Sequence, residues 1–303
     1  MVVSPQRLGV VVLNWNGWAQ LGACLDSLVL SDHPDYFVLV VDNGSVDGSA
    51  DRVRSRGDVE LLALPHNLRF AGGNNAGAQR AIELGARQLL ILNNDTTIAP
   101  DALRHLGAAL QENDLDLVGP RIVFTRDPGK IWYGGGIFRS GSGFVGHRAI
   151  RKRASAGLDP EGLTDWVTGC ALAIRADLWQ RLNGLDTGYY IYSEDVDLCL
   201  RARADGARIG YCPAAVVSHE VSASVGGGGS AFKAYHRTRA RRQLMRRFGE
   251  GRLWPFGLWV QDLAWAGLRL MQGQTAAARA VLTAMSEPAT AEPRFPVEDL
   301  IDD

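Results

Sequence analysis

The stretch Leu89 to Pro100, LLILNNDTTIAP, limits most strongly what this chain can fold into. Leu89, Leu90, Ile91 and Leu92 form the unbroken apolar run that a strand covered on both faces requires. The run stops at Asn93. Asn93, Asn94, Asp95, Thr96 and Thr97 then put five oxygen-bearing side chains at the carboxyl end of that strand, where open α/β sheets bind ligands. Asp95 is the only charge among them. One carboxylate beside neutral amides suits a divalent ion that also takes oxygens from a ligand's phosphates. The same residues suit a plain strand end with an Asx turn and a capped helix start near Pro100, and the stretch alone does not separate the two readings.

Three earlier segments repeat the pattern. Leu8 to Leu13 reads as a buried strand ended by Asn14, Asn16 and Gly17, with a helix from Trp18 to Leu30. Tyr36 to Val41 is a second strand, ending in Asp42, Asn43, Gly44 and Ser45, with Asp47 and Ser49 as candidate caps of the next helix. Val59 to Leu64 is a third, followed by a helix over Ala71 to Leu84 entered through Gly72, Gly73, Asn74 and Asn75. Strands alternating with helices predict an α/β fold with a mostly parallel, doubly wound, Rossmann-like sheet. In such a sheet Asn14, Asp42, Asn67 and Asp95 converge on one crevice at the strands' carboxyl ends. Asp42 after VLVV is placed to bond a ribose hydroxyl or a base N–H, although a lone Asp there is also an ordinary turn residue. GxGxxG after the first strand and GxxxxGK[ST] are both missing, which argues against a dinucleotide oxidoreductase and a P-loop hydrolase.

A net charge of −1 over 303 residues gives no reason to expect a nucleic-acid partner. The four cysteines, Cys24, Cys170, Cys199 and Cys212, have no CxxC spacing, so neither a zinc site nor a disulfide framework is expected, and a reducing cytoplasmic location fits. The N-terminus lacks the apolar length of a signal peptide, and no run of about 20 uncharged apolar residues predicts a spanning helix.

Six stretches, VVVLNWNGW (10–18), VVDNGSVDGS (40–49), NLRFAGGNNAG (67–77), LLILNNDT (89–96), WVTGCALAIRA (166–176) and YSEDVDLCLRAR (192–203), together resemble family 2 glycosyltransferases of the GT-A fold, in particular the rhamnosyltransferase-like branch. The resemblance implies a GT-A catalytic domain over 1–250, with nucleotide-sugar binding in about the first 100 residues and acceptor binding and the catalytic base in the rest. It implies that Asp42 reads the pyrimidine, that Asn14 and Asn16 lie beside the base, and that Asn67, Phe70 and Gly73 line the donor pocket. Asn94 and Asp95 fall on the DxD-like metal motif, whose first acid is here Asn93, leaving Asp95 as the carboxylate ligand of Mg²⁺ or Mn²⁺. His219 matches a histidine that ligates the same metal or touches the diphosphate. Arg239 stands where members carry an Arg-Asn pair; Ala240 replaces the Asn, and Arg239 is expected to face the diphosphate.

On the acceptor side, Ile131 to Arg139 and Asp165 to Ile174 read as strands, and Trp166, with Thr168 and Gly169 beside it, is the expected acceptor surface, Trp166 serving as sugar platform or as plain core. Ser193 is a plausible N-cap for a helix that opens with Glu194, Asp195 and Asp197. Asp197 and Arg201 are an i,i+4 pair suited to a helix salt bridge, whereas Asp195 points between Leu198 and Cys199. By resemblance Asp195 is the catalytic base of an inverting transfer and Glu194 positions the acceptor hydroxyl. A short strand over Arg208 to Tyr211, a Gly/Ser-rich lid over Ser222 to Ser230 and a basic helix over Ala231 to Phe248 follow.

Residues 251–285 read as a helical tail, and the acidic segment 286–303 reads as disordered. Over Leu253 to Met271, Gln261, Asp262 and Arg269 form one polar stripe and leave a broad apolar face with Trp254, Phe256, Trp259 and Leu263. Such a face packs on the catalytic domain, pairs two copies or lies peripherally on the inner face of a membrane. The expected partners are a dTDP- or UDP-sugar donor, with dTDP-rhamnose favoured by the resemblance and UDP-hexoses the alternative, and a glycan, lipid-linked or small-molecule acceptor. The rival readings are a relative that binds nucleotide-sugar or glycan without transferring it, and a nucleotidyltransferase, for which no basic pyrophosphate signature is visible near the first strand.

Overall fold

The computed structural model describes residues 6–112, 114–154, 160–220 and 230–288. The chain divides into two compact units, one made of Met1–Ile137, His147–Thr187 and Glu194–Val221, the other of Phe138–Gly146, Gly188–Ser193 and Ser222–Asp303.

The first unit begins with β1 (Leu8–Asn14), α1 (Trp18–Val29), β2 (Tyr36–Asp42), α2 (Ser49–Arg56), β3 (Glu60–Ala63), α3 (Arg69–Glu83) and β4 (Gln88–Asn93). Then come β5 (Thr96–Ile98), α4 (Ala102–Glu112), β6 (Leu117–Phe124) and β7 (Asp127–Tyr133). A hairpin of β8 (Gly136–Arg139) and β9 (Phe144–His147), of which 138–146 count with the second unit, precedes β10 (Gly162–Leu163), β11 (Ala171–Arg175), α5 (Ala176–Arg181), α6 (Glu194–Ala204) and β12 (Ile209–His219). Among the described residues the main sheet runs β10-β12-β6-β11-β4-β1-β2-β3, with β5 added on β12 and β7 on β6. β3, β2, β1 and β4 are parallel, as the alternating pattern predicts, while β11 runs antiparallel between β4 and β6.

The apolar runs identified in the sequence are the core. Val10 to Val12, Val38 to Val41 and Leu89 to Leu92 are buried, each large side chain contributing about 1.5–3 kcal/mol before the entropy of ordering it. Helix α3 starts at Arg69, so Gly72 and Gly73 are helical positions and not a turn. Close packing is the reason for glycine here: a Cβ on Gly73 would meet Leu13 at 2.5 Å, and one on Gly77 would meet Val11 and Val41 at 2.5 Å.

Other local expectations are revised. The run 131–139 splits into β7 and β8 because Gly135 takes φ 103°, which ends the extended backbone. Residues 165–170 are not strand, and β11 begins only at Ala171. The short strand expected at 208–211 continues to His219, passing Pro213 by a register shift between Cys212 and Val216. Ser193 has φ 68° and Tyr192 φ 70°, left-handed values unlike the extended backbone of an N-cap.

The second unit holds α7 (Ala231–Phe248), α8 (Trp254–Met271) and α9 (Thr275–Ser286). Its core joins Ala234 and Tyr235 of α7 to Ala266 of α8 and to Ala277, Ala280, Val281 and Ala284 of α9. Helix α7 therefore packs with α8 and α9. The expected lid falls almost wholly on residues 221–229, and the expected disordered tail on 289–303, outside the described residues. All four cysteines are free and buried. No helix among the described residues is long and apolar enough to cross a membrane.

Candidate active site

The parallel register brings the polar strand ends together: Asn14 lies opposite Asp42, and Leu13 opposite Asn93. Asn14 bridges the neighbours, donating from Nδ2 to Asp42 Oδ1 at 3.4 Å and accepting from Asn94 Nδ2 at 2.8 Å. Asp42 is buried, and its other oxygen accepts from the Ser45 N–H at 3.1 Å. Asn16, at φ 49°, accepts from Val46 N at 2.8 Å and donates its own N–H to Ser45 Oγ. Asn67 is held by Asn43, which donates to it at 2.8 Å and accepts from Leu68 N at 2.9 Å. Asn43 was not singled out as a site residue in the sequence, where it looks like any turn amide.

Asp95 and His219 meet because β5 adds to the far end of β12. His219 pairs with Thr96 across that ladder, and the Glu220 N–H donates to the Asp95 carbonyl at 2.9 Å. Asp95 Oδ2 then lies 3.3 Å from His219 Nε2, with both side chains nearly buried. Burial disfavours a charged imidazole, yet Cys170 and the Asp95 carboxylate hold the His219 pKa above its ordinary value. Asp95 Oδ1 and His219 Nδ1 are buried without a hydrogen-bond partner. An orphaned carboxylate oxygen and an orphaned imidazole nitrogen are donors that suit Mg²⁺ or Mn²⁺. Among the described residues no three His, Cys, Asp or Glu side chains are grouped to hold an ion alone. The pair therefore fits a metal that completes its shell with a ligand's phosphate oxygens.

Cys170 and Gly169 connect this pair to the acids of α6. Cys170 is an electrostatic neighbour of His219, and the preceding Gly169 N–H donates to Asp195 Oδ2 at 2.8 Å. A Cβ at Gly169 would lie 3.0 Å from the Phe70 ring and 3.5 Å from Asp195 Cβ, so Phe70, Gly169 and Asp195 are immediate neighbours. Asp195 Oδ1 accepts from the Val196 N–H at 2.8 Å. Burial raises the Asp195 pKa, against the pull of the Gly169 and Val196 N–H groups. Glu194 is buried, has no partner for Oε2, and is pushed up to about 8 by burial and by the Asp195 charge. Burial and their mutual repulsion thus oppose ionising both carboxyls together. Asp197 forms the expected bridge to Arg201 at 2.6 Å, and Arg201 also donates to the Leu182 and Gly184 carbonyls, a structural cluster apart from the acid pair.

The raised Glu194 pKa has a stability consequence. Its folded value exceeds the unfolded one, so nothing is lost below about pH 4.5, and stability falls as pH rises toward 8 while only the unfolded chain releases the proton. Glu194→Gln removes that loss. Its melting temperature should gain on wild type by at least about 4 °C between pH 5 and pH 8. A pH-independent difference would show that Glu194 is ionised in the folded chain.

Trp166 is 4% exposed, with Nε1 donating to the Ile137 carbonyl at 3.2 Å, so of the two roles read from the sequence its ring takes the core one. Thr168 is buried and accepts from the Cys170 N–H. The aromatics around His219 are Trp132 at 4.6 Å between ring centres and, behind it, His147, whose Nδ1 lies 3.0 Å from the Trp132 carbonyl oxygen. Neither was identified from the sequence, and only the β6–β7 hairpin, invisible in the apolar pattern, brings Trp132 there. Arg239 belongs to the second unit, where it pairs with Glu287 at 3.2 Å and contacts the Tyr235 hydroxyl.

Residues 5–244 match the family described as Glycosyltransferase like family 2. The chain belongs to that family. This family 2 chain is 28% identical over 258 residues to N-acetylglucosaminyl-diphospho-decaprenol L-rhamnosyltransferase of Mycobacterium tuberculosis, covering 76% of this chain and 81% of that one. It is 28% identical over 215 residues to O-antigen biosynthesis protein RfbC of Myxococcus xanthus, covering 67% of this chain but only 16% of that longer protein. It spans 55% of the length of the hexosyltransferase Agl10 of Haloferax volcanii. A mannosyltransferase from Pyrobaculum calidifontis, solved with GDP-Man and Mn²⁺, superimposes with a TM-score of 0.55 at 18% identity, covering 99% of this chain and 79% of that one. Such likeness supports a GT-A fold for this family 2 chain.

Proposed function

We propose that this chain is an inverting, metal-dependent glycosyltransferase that moves a sugar, rhamnose in the first instance, from a nucleoside diphosphate to a hydroxyl of a glycan, glycolipid or other acceptor. The observation that carries the reading is the Gly169–Cys170 junction, where Cys170 neighbours the Asp95–His219 pair and the Gly169 N–H bonds Asp195 of the acid pair. One pair supplies ligands for a diphosphate-bound cation, the other a base for the acceptor.

Asp42, Asn14 and Asn16 frame the base and ribose, with Asn67 and Gly73 alongside and Asn94 between them and the diphosphate. Asp95 and His219 would hold Mg²⁺ or Mn²⁺, which when bound offsets charge developing on the leaving nucleoside diphosphate. Asp195, kept anionic by two backbone N–H donors and raised toward neutrality by burial, takes the proton from the attacking hydroxyl. Glu194, protonated, donates to that hydroxyl or to a neighbouring sugar oxygen. A single displacement from the face opposite the nucleotide inverts the anomeric centre.

The donor preference is supported by the rhamnosyltransferase name of the mycobacterial relative and by Phe70, a partly exposed ring beside Gly169 that suits the methyl group of a 6-deoxy sugar. A thermal-shift screen of dTDP-, UDP- and GDP-sugars with Mn²⁺ tests it. dTDP-rhamnose should give the largest stabilisation, because at equal concentration a ligand that binds the folded state more tightly stabilises it more. A larger shift with a GDP-sugar or with UDP-glucose would overturn the donor assignment and leave the reaction class standing.

A further inference from the structure

Helix α8 is built inside out. The polar residue that should face water, Asp262, is fully buried between Arg241 and Arg242 of α7, with Arg242 Nη1 at 3.0 Å. Arg269 lies over the Trp265 ring at 4.0 Å and donates to Gln274, which holds it against its own unit. The apolar residues take the outside instead. Leu253, Phe256, Val260, Leu263 and Leu270 recur at the three- and four-residue spacing of one helix face, and all are exposed, with Trp259 and Met271 flanking them at 50% and 81%. Of the roles the sequence leaves open for this face, packing it away within the unit is therefore not the one its exposure fits.

Charge around the face is mainly basic. Residues 231–288 carry ten Arg or Lys against three Asp or Glu, and residues 289–303 add one Arg and five acids, in a chain whose net charge is −1. The three acids are committed: Asp262 to Arg241 and Arg242, Glu287 to Arg239 and Tyr235, and Glu250 to the Ser140 hydroxyl. Arg246 and Arg252, on either side of the turn into α8, are exposed. A second copy laid face to face would bring two basic units together. An anionic bilayer offers both an apolar interior for the aromatics and counter-charges for the arginines.

We propose that the exposed face of α8, with Arg246 and Arg252, is a docking surface for an anionic lipid bilayer, on which the helix lies in the headgroup plane. Its length and composition suit a helix that lies on a membrane and not one that spans it. This inference rests on the second unit alone and does not depend on the donor or the chemistry, so its failure and theirs are read separately.

The test is flotation of the full chain with vesicles of phosphatidylcholine alone and of phosphatidylcholine with phosphatidylglycerol. The chain should float with the anionic vesicles only, less so in high salt, and Trp fluorescence should shift to the blue. Trp259→Glu with Leu263→Glu, both at exposed positions, should lower vesicle partitioning at least tenfold without changing the melting temperature, and Arg246→Glu with Arg252→Glu should remove the preference for anionic lipid. Full chain that stays with the unbound fraction overturns the proposal. So does a concentration-dependent dimer in sedimentation, abolished by the Trp259→Glu, Leu263→Glu pair, in a chain that ignores vesicles, since the face would then belong to a second copy.

Discussion

Asp195→Asn should lower transfer by about 10²–10⁴-fold, the range for a positioned general base, while nucleotide affinity stays at the wild-type value. The amide keeps an oxygen for the Gly169 N–H, which holds Asp195 Oδ2 at 2.8 Å, and gives up only the acceptor of the Val196 N–H, so the variant should lose one hydrogen bond and still fold. What it loses is the capacity to take a proton. Because the base acts on the acceptor, the loss should fall on kcat, and calorimetric titration of nucleoside diphosphate with Mn²⁺ should be unaltered. Glu194→Gln should be far milder, since Glu194 is already neutral near pH 7 and the amide can still donate a hydrogen bond. If Asp195→Asn weakens nucleotide binding strongly, the residue serves the donor or the metal. If Glu194→Gln is the more damaging change, the two acids have exchanged roles.

Asp95→Asn should cost about 10²–10³-fold in turnover, as removal of one electrostatic partner of a developing charge does. It also has a readout that needs no turnover. In the wild type Mn²⁺ should tighten nucleoside diphosphate binding, and in Asp95→Asn that gain should vanish while binding without metal is unchanged. His219→Ala should fall between the two, removing one donor of the pair and leaving the carboxylate. Full activity in excess chelator, or an undiminished Mn²⁺ effect in Asp95→Asn, would remove the metal from the account.

The parallel half of the sheet was readable because its strands are buried on both faces and so carry unbroken apolar runs, as in VVVL, VLVV and LLIL, each stopped by an amide or acid. Asn14, Asp42 and Asp95 followed directly, since strand polarity alone puts their ends on one edge. The other half was not readable in the same way. β5 is three residues long and β12 crosses a proline, so neither yields a pattern, yet their pairing is what sets His219 beside Asp95. His219 was named through a resemblance and not through its surroundings. Trp132 escaped because a residue on an antiparallel hairpin signals nothing about which loop it meets. For α8 the sequence left the direction open: an apolar stripe and a polar stripe are found equally well by spacing, and only the buried Arg241–Asp262–Arg242 cluster tells which faces inward.

The central claim is that the chain turns over a nucleotide-sugar, as opposed to merely binding one. Its most direct test is release of nucleoside diphosphate from dTDP- and UDP-sugars by the purified full chain with Mn²⁺ and no acceptor, with Asp95→Asn alongside. Slow, metal-dependent release that disappears in Asp95→Asn is the predicted result. Tight, saturable binding of the same donors with no release, in wild type and variant alike, would contradict it and leave a nucleotide-sugar-binding relative that has lost the transfer reaction.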